Sequence, residues 1–97
     1  MIRKQTKKGS EVKVTFVLPG DHAHGACSVV GDFNDWTPGA NRFQRRSNGT
    51  YSTAVVLPEG ERAKFLYLAE DGVWLTEPDA DAIESNEYGT SDCVLMV

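Results

Sequence analysis

Apolar and polar residues alternate along several short stretches of this chain. The stretch EVKVTFVLPG places an apolar side chain at every second position from Val12 to Leu18. The stretch YSTAVVLPEG alternates in the same way from Tyr51 to Leu57, with Thr53 at one of the alternate positions. Because successive side chains of a strand point to opposite faces, this two-residue period predicts strands that each turn one face to a hydrophobic core.

Turn residues separate the predicted strands at short intervals. Asn48-Gly49 suits a tight hairpin, and Asp71-Gly72 lies within a second predicted hairpin, ERAKFLYLAEDGVWL. ACSVVG, NRFQRR and CVLMV predict further strands, of which NRFQRR is short and polar, whereas TEPDADAIESNEYGTSD is expected to be irregular. No stretch has a sustained helical period. About seven short strands indicate an all-β fold, an immunoglobulin-like antiparallel β-sandwich.

The length of 97 residues fits one small domain. We expect this domain to span residues 11–97. Residues 1–10 contain four basic side chains, and the stretch from Arg3 to Lys8 has no apolar residue. A segment of this composition is expected to be a flexible basic lead.

Charge is distributed unevenly, with a net charge of −4 and no basic residue after Lys64. The acidic body is expected to repel nucleic acid and anionic lipid. No apolar run approaches a membrane span of about 20 residues. The first ten residues lead into no apolar stretch, so we expect no secretory signal and a cytoplasmic protein. In the cytoplasm, Cys27 and Cys93 are expected to be buried thiols, and a disulfide bond between them is the alternative that the sequence leaves open.

Candidate catalytic and metal-binding chemistry is sparse. His22 and His24 form an i, i+2 pair, but no third ligand stands at a recognisable spacing, so a solvated loop is favoured over a metal site. The carboxylates between Glu70 and Asp92 are not ordered on a predicted rigid element. No nucleophile elbow, phosphate loop or Cys–His arrangement of known spacing is present. The sequence therefore predicts a protein that is not an enzyme and has no metal or other cofactor.

Both tryptophans stand beside predicted turns, Trp36 in FNDWTPG and Trp74 in EDGVWLTEPD. Exposed aromatic residues among polar ones tend to mark binding sites. An indole fits the apolar face of a sugar ring, and short polar side chains such as Asn34 suit its hydroxyls. The pattern alone leaves a second interpretation open, in which both indoles lie in the core and cover the ends of the sheets.

From about Val12 the chain resembles carbohydrate-binding module family 48. The resemblance rests on G-x-F-N-x-W at Gly31–Trp36, L-P-x-G at Leu57–Gly60, D-G-x-W at Asp71–Trp74 and Y-G-T at Tyr88–Thr90. The family includes the glycogen-binding domain of the AMP-activated protein kinase beta subunit. It also includes the amino-terminal module of isoamylases and branching enzymes of glycoside hydrolase family 13. The resemblance implies an immunoglobulin-like sandwich that binds α-1,4-glucan, such as glycogen, starch or maltooligosaccharides.

The resemblance also implies roles for individual residues. Trp36 and Trp74 match two tryptophans that stack on consecutive glucose units. Tyr88 matches a residue that inserts toward the ring of the bound oligosaccharide, a leucine in the kinase-type modules. Thr90 matches a hydroxyl that hydrogen-bonds sugar, and Asp92 stands where those modules have asparagine.

Two positions depart from the family pattern. Where the fifth strand usually carries a lysine or arginine between its two aromatic residues, this chain has Leu66. Lys64 lies two residues earlier on the same face and would have to reach about 6.6 Å along the strand to substitute. The turn that follows is longer by about one residue, Glu70, which could shift Trp74.

The leading hypothesis is a non-catalytic module that binds α-1,4-glucan, alone or with a separately encoded glucan-active enzyme. A shallow groove of this kind is expected to bind an oligosaccharide with a Kd of about 10 µM to 1 mM. The alternative is an interaction or regulatory domain of the same fold. Such a domain would dock on a glucan-metabolising enzyme or a kinase-type partner and bind sugar weakly, with Leu66, Val17 and Val56 contributing apolar surface.

Overall fold

The computed structural model describes residues 1–22 and 24–97, which form ten antiparallel strands in two sheets. The strands are β1 (Ile2–Lys7), β2 (Glu11–Leu18), β3 (Cys27–Gly31), β4 (Asn41–Arg42), β5 (Gln44–Arg45), β6 (Tyr51–Pro58), β7 (Arg62–Ala69), β8 (Trp74–Leu75), β9 (Ala82–Ser85) and β10 (Ser91–Met96). One sheet has the order β1-β2-β6-β5. The other has the order β4-β3-β7-β10-β9, with β8 beside β7. The predicted all-β sandwich is confirmed, and seven of its strands have four or more residues.

The core lies between the two sheets and consists of the inward faces of their central strands. In β2, Val12, Val14 and Phe16 are buried, as the alternation predicts, and in β7 the inward residues include Phe65 and Tyr67. The rings of Phe16 and Phe65 meet across the sandwich with centroids 5.2 Å apart. Burying a large apolar side chain of this kind contributes about 1.5–3 kcal/mol. The described residues include no helix with the length and apolar character of a membrane span.

The predicted strand NRFQRR is divided between the two sheets. Asn41–Arg42 pair with β3, and Gln44–Arg45 pair with β6. Phe43, between them, is buried, and its ring centroid lies 5.2 Å from that of Tyr67. The short stretch therefore crosses from one sheet to the other at Phe43.

Residues 1–10 differ from the flexible lead that their composition suggested. Ile2–Lys7 form an edge strand that pairs with β2 along its whole length. Lys4 Nζ donates to Asp81 Oδ2 at 2.8 Å and to the Met96 carbonyl oxygen at 2.7 Å, so β1 is also tied to the other sheet. An edge strand is held by backbone pairing, which residue composition does not reveal.

The acidic stretch that was expected to be irregular contains the strand β9, which pairs with β10 at the edge of its sheet. It also contains Glu77, whose carboxylate is buried. Glu77 Oε1 accepts hydrogen bonds from the Tyr67 hydroxyl at 2.9 Å and from the Met1 ammonium group at 2.5 Å. Its Oε2 accepts from the Asp79 N–H at 2.9 Å. Burial, together with the charge of Glu77, raises the pKa of Tyr67.

The two histidines lie in different environments, and Ala23 between them is outside the described residues. The His22 ring packs edge-on against Tyr51 with centroids 5.6 Å apart. His24 Nδ1 lies 3.3 Å from Asp71 Oδ2. Both histidines lie in the segment between β2 and β3, where the loop was expected, and their side chains are partly exposed.

Candidate functional site

The outer face of the β4-β3-β7-β10-β9 sheet carries an open groove of about 990 Å³. Strand β7 forms its floor. The loop after β3, the short strand β8 and the turn between β9 and β10 contribute its walls. Seven candidate residues from the sequence line this groove: Trp36, Lys64, Leu66, Trp74, Tyr88, Thr90 and Asp92.

The loop after β3 brings Trp36 to the groove. Gly31 ends β3 where the backbone comes very close to β7, because a Cβ at this position would lie 2.5 Å from the Lys64 carbonyl oxygen. The chain then makes a 3₁₀ turn, Asp32–Asn34. Asp35 and Trp36 adopt left-handed backbone conformations with φ of 54° and 55°. This sharp reversal places the indole beside the sheet instead of continuing the strand.

Asp32 holds the Trp36 side chain against β7. Asp32 Oδ1 accepts a hydrogen bond from Trp36 Nε1 at 3.1 Å, and Oδ2 accepts one from the backbone N–H of Lys64 at 2.9 Å. The indole N–H already has a partner, so Trp36 offers a ligand apolar surface and no free donor.

Asn34 is not among the residues that line the groove. Its Oδ1 accepts a hydrogen bond from the Gly31 N–H at 3.0 Å. Its Nδ2 donates to the Val29 carbonyl oxygen at 2.9 Å and to Asn41 Oδ1 at 2.8 Å. The amide is therefore engaged inside the loop. Asn34 holds the turn that presents Trp36, which corrects its expected place among the sugar-contacting residues.

Strand β8 places Trp74 on the outer face of the sheet, directly opposite Leu68 of β7. Trp74 is 53% exposed, so it does not lie in the core. The turn that contains Glu70 was expected to shift Trp74, yet Trp74 and Trp36 line the same groove.

The hairpin before Trp74 is closed by Asp71. Asp71 Oδ1 accepts a hydrogen bond from the Val73 N–H at 3.1 Å, and Oδ2 lies 3.3 Å from His24 Nδ1. Two hydrogen bonds hold the pKa of Asp71 below its ordinary value. The bond from the Val73 N–H has the larger effect, and the bond with His24 has the smaller one. The carboxylate therefore fixes the turn that leads into β8.

Asn86 holds the turn between β9 and β10, and the sequence pattern did not single it out. Its Oδ1 accepts hydrogen bonds from the N–H groups of Tyr88 at 3.0 Å and Thr90 at 3.1 Å. Its Nδ2 donates to Thr90 Oγ1 at 2.7 Å and to Asp92 Oδ1 at 3.3 Å. Tyr88 stands on this turn with 82% of its surface exposed. The signal in the sequence is an Asn beside a Gly-containing turn, where Asn side chains commonly bond the backbone two residues on.

These bonds limit what two of the candidate residues offer to a ligand. Thr90 Oγ1 accepts from Asn86 Nδ2 and donates to Asn86 Oδ1 at 3.0 Å, so its proton is engaged. Asp92 is buried and already accepts one hydrogen bond. Thr90 and Asp92 are therefore available to a ligand mainly as acceptors.

Lys64 and Leu66 lie on the outward face of β7, as the alternation predicts. Lys64 Nζ lies 3.5 Å from Glu84 Oε2, and Arg62 pairs with the same carboxylate. The ionisable lining residues are Lys64, Glu87, Tyr88 and Asp92. With one base and two acids among them, the groove has no concentration of positive charge that would favour an anionic ligand.

No family model matches this chain. The chain is 32% identical over 82 residues to an amylopullulanase of Thermoanaerobacter thermohydrosulfuricus, an alignment that covers 80% of this chain and 5% of that protein. It is 33% identical over 85 residues to 1,4-alpha-glucan branching enzyme GlgB 2 of Xanthomonas campestris pv. campestris, which covers 84% of this chain and 11% of that protein. An amylopullulanase of Thermoanaerobacterium thermosulfurigenes is 32% identical over 81 residues, 80% of this chain and 4% of that protein. The chain thus spans 4 to 11% of the length of these relatives.

Proposed function

We propose that this chain is a carbohydrate-binding module of the family 48 type that binds α-1,4-glucan and does not catalyse its conversion. The observation that carries the proposal is the convergence of Trp36, Trp74 and Tyr88 on one groove. Aromatic side chains at a surface supply a large contact area to a flat apolar ligand. The carbon-bound hydrogens of a glucose ring form such a surface.

The polar groups of the groove suit hydroxyls better than phosphates. Lys64 supplies donors, and Glu87 and Asp92 supply acceptors. Nucleic acid binding depends on clustered basic residues that neutralise phosphates. The balance of charge in this groove therefore favours a neutral polysaccharide.

The relatives support the same ligand class. One of them is a 1,4-alpha-glucan branching enzyme, and this chain matches only 11% of its length. A match of this size is compatible with an accessory segment and too short for a catalytic barrel of roughly 250 residues. We propose that this chain serves a glucan-active enzyme in the cytoplasm.

The alternative, an interaction domain with a continuous apolar patch, has less support from the surface. Val17 is only 9% exposed, and its N–H donates to the Met1 carbonyl oxygen at 2.8 Å. Val56 is 52% exposed but belongs to β6, whereas Leu66 belongs to the other sheet. The three residues therefore do not form one surface.

The proposal is tested by titrating the intrinsic tryptophan fluorescence with maltoheptaose. We expect a saturable change with a Kd of about 10 µM to 1 mM, because a shallow groove must offset the rigid-body freedom lost on binding. No saturable change up to about 10 mM, ten times the weak end of that bracket, would contradict glucan binding.

Replacement of either tryptophan should weaken binding. We expect Trp36→Ala and Trp74→Ala each to reduce the binding free energy for maltoheptaose by at least about 1 kcal/mol, measured by calorimetry. Trp74→Ala should leave the melting temperature nearly unchanged because the ring is exposed. Trp36→Ala should lower it slightly because the bond to Asp32 is lost.

Val56→Ala is the matched control, since Val56 is as exposed as Trp74 but lies on the opposite sheet. Its affinity should equal that of the unaltered protein. If Val56→Ala weakened maltoheptaose binding as much as Trp74→Ala, or if Trp74→Ala left the affinity unchanged, the groove would not be the glucan-binding site.

A further inference from the structure

A second, shallower groove of about 400 Å³ lies on the same sheet. Its lining includes Ser28 of β3, Arg42 of β4, Leu68 of β7, and Glu70 from the turn that follows β7. None of these residues belongs to the site of the proposed function, and none was a candidate from the sequence.

The two grooves share their floor. Leu66 lines the first and Leu68 the second, and the two side chains lie on the same face of β7, about 6.6 Å apart along the strand. Leu68 has Ser28 as its cross-strand neighbour on one side and Trp74 on the other. Trp74 of the first groove therefore stands beside the floor of the second.

The two grooves also share a wall. The loop that carries Trp36 at the first groove continues to Gly39 at the second. The Gly39 N–H donates to Ser28 Oγ at 3.2 Å, which holds this part of the loop on the sheet. A chain-like ligand that leaves the first groove along β7 therefore enters the second without crossing to another face.

The second groove contains polar groups suited to hydroxyls. Arg42 Nη2 lies 2.6 Å from Glu70 Oε1, and their side chains are 65% and 63% exposed. An exposed ion pair of this kind contributes little to the stability of the fold. The planar guanidinium of Arg42 can donate hydrogen bonds to the hydroxyls of a ligand, and the carboxylate of Glu70 can accept them. Such a ligand would lie above the apolar side chain of Leu68.

We propose that the second groove extends the glucan site, with Arg42 and Glu70 binding the hydroxyls of glucose units beyond those at Trp36 and Trp74. The ligand is a linear α-glucan long enough to occupy both grooves. This inference rests on the proposed function, because it assigns no ligand other than the one that binds the first groove. Affinity should therefore rise with chain length, and the rise should depend on Arg42.

The test compares maltotriose with maltoheptaose by calorimetry for the unaltered protein, Arg42→Ala and Glu70→Ala. Arg3→Ala is the matched control, because it removes one exposed arginine from the opposite sheet. We expect Arg42→Ala and Glu70→Ala to weaken maltoheptaose binding about two- to tenfold, the effect of losing one hydrogen bond, and to leave maltotriose binding unchanged. Arg3→Ala should change neither.

Each other outcome has a distinct meaning. If both variants bind maltoheptaose as tightly as the unaltered protein, the extension is wrong and the proposed function stands. If they weaken both sugars equally, Arg42 and Glu70 act on the first groove or on the fold, and the extension is again wrong. If the unaltered protein binds neither sugar, the proposed function fails and the extension fails with it. Thermal unfolding of each variant confirms that the exposed substitutions leave the fold intact.

Discussion

At the scale of single residues, the walls of the groove are held by polar side chains that bond the turns carrying its aromatic residues. Asp32 bonds the indole of Trp36, Asn34 bonds the turn before it, and Asn86 bonds the turn that carries Tyr88. A surface that is already ordered loses less conformational freedom when a ligand binds. The aromatic residues therefore depend on these three polar ones.

Asn86→Ala tests this dependence. We expect the variant to lose about 1–2 kcal/mol of stability, because several hydrogen bonds of the turn disappear, and to bind maltoheptaose more weakly. Chemical denaturation and calorimetry measure the two effects. Tyr88→Ala is the comparison, because its exposed ring should affect binding and leave stability unchanged. An Asn86→Ala protein with unaltered stability and affinity would show that the turn does not need this amide.

The sequence shows the groove aromatics more readily than the residues that support them. A tryptophan beside a turn is unusual enough to point to a surface site, and Trp74 is exposed as that interpretation requires. An asparagine beside a turn fits a ligand contact and an internal bond equally well. Only the fold decides between these two roles, which is why Asn34 was misplaced and Asn86 was missed.

At the scale of elements, strands with a strong apolar period were predictable and edge strands were not. β2 and β7 lie where their alternation places them, because each contributes one face to the core. β1 and β9 lie at sheet edges and bury few apolar side chains, so their sequences resemble those of loops. Their order depends on backbone pairing and on contacts with distant parts of the chain, such as the hydrogen bond from Lys4 to Asp81.

The attachment of β1 to the other sheet should depend on the ionisation of Asp81. Burial raises the pKa of Asp81, but hydrogen bonds from Lys4 and from the Met96 N–H outweigh it and hold this pKa below its ordinary value of 3.8. A group whose pKa is lower in the folded than in the unfolded state stabilises the protein at pH values above its unfolded-state pKa. That stability is lost as the pH falls through the folded value.

We therefore expect Asp81→Asn to lower the free energy of unfolding at neutral pH by about 1 kcal/mol. The difference from the unaltered protein should shrink as the pH falls below about 4, where the carboxylate itself becomes protonated. Urea denaturation at a series of pH values measures this. Glu87→Gln removes a charge from an exposed turn and is the control. A difference that stays constant down to low pH would contradict a role for the charge of Asp81.

At the scale of the whole molecule, the reactivity of the two thiols measures how readily the sandwich opens. Cys27 and Cys93 are unbridged and buried, which confirms the expectation of buried thiols. They lie on β3 and β10 of one sheet, and Cys93 Sγ accepts a hydrogen bond from the Glu77 N–H at 3.2 Å. Burial raises the pKa of both thiols above the ordinary value of 9.0.

We expect both thiols to react slowly with an aromatic disulfide reagent in the native protein and rapidly in denaturant. The raised pKa lowers the thiolate fraction at neutral pH, and the sheets exclude the reagent, so labelling requires opening of the fold. Val56→Cys supplies an exposed thiol as the positive control and should react at once. Native labelling of Cys27 and Cys93 as fast as that of the introduced thiol would mean that the sandwich opens readily.

The two outer faces of the sandwich differ in charge. The β1-β2 register turns Arg3, Lys7 and Lys13 away from the core, on the sheet opposite the groove. A molecule lying with its aromatic side on a starch granule would therefore direct these cations to the surrounding solution. Because the protein carries a net charge of −4, the polymer would still become more negative, and its electrophoretic mobility toward the anode would rise as the bound protein accumulated.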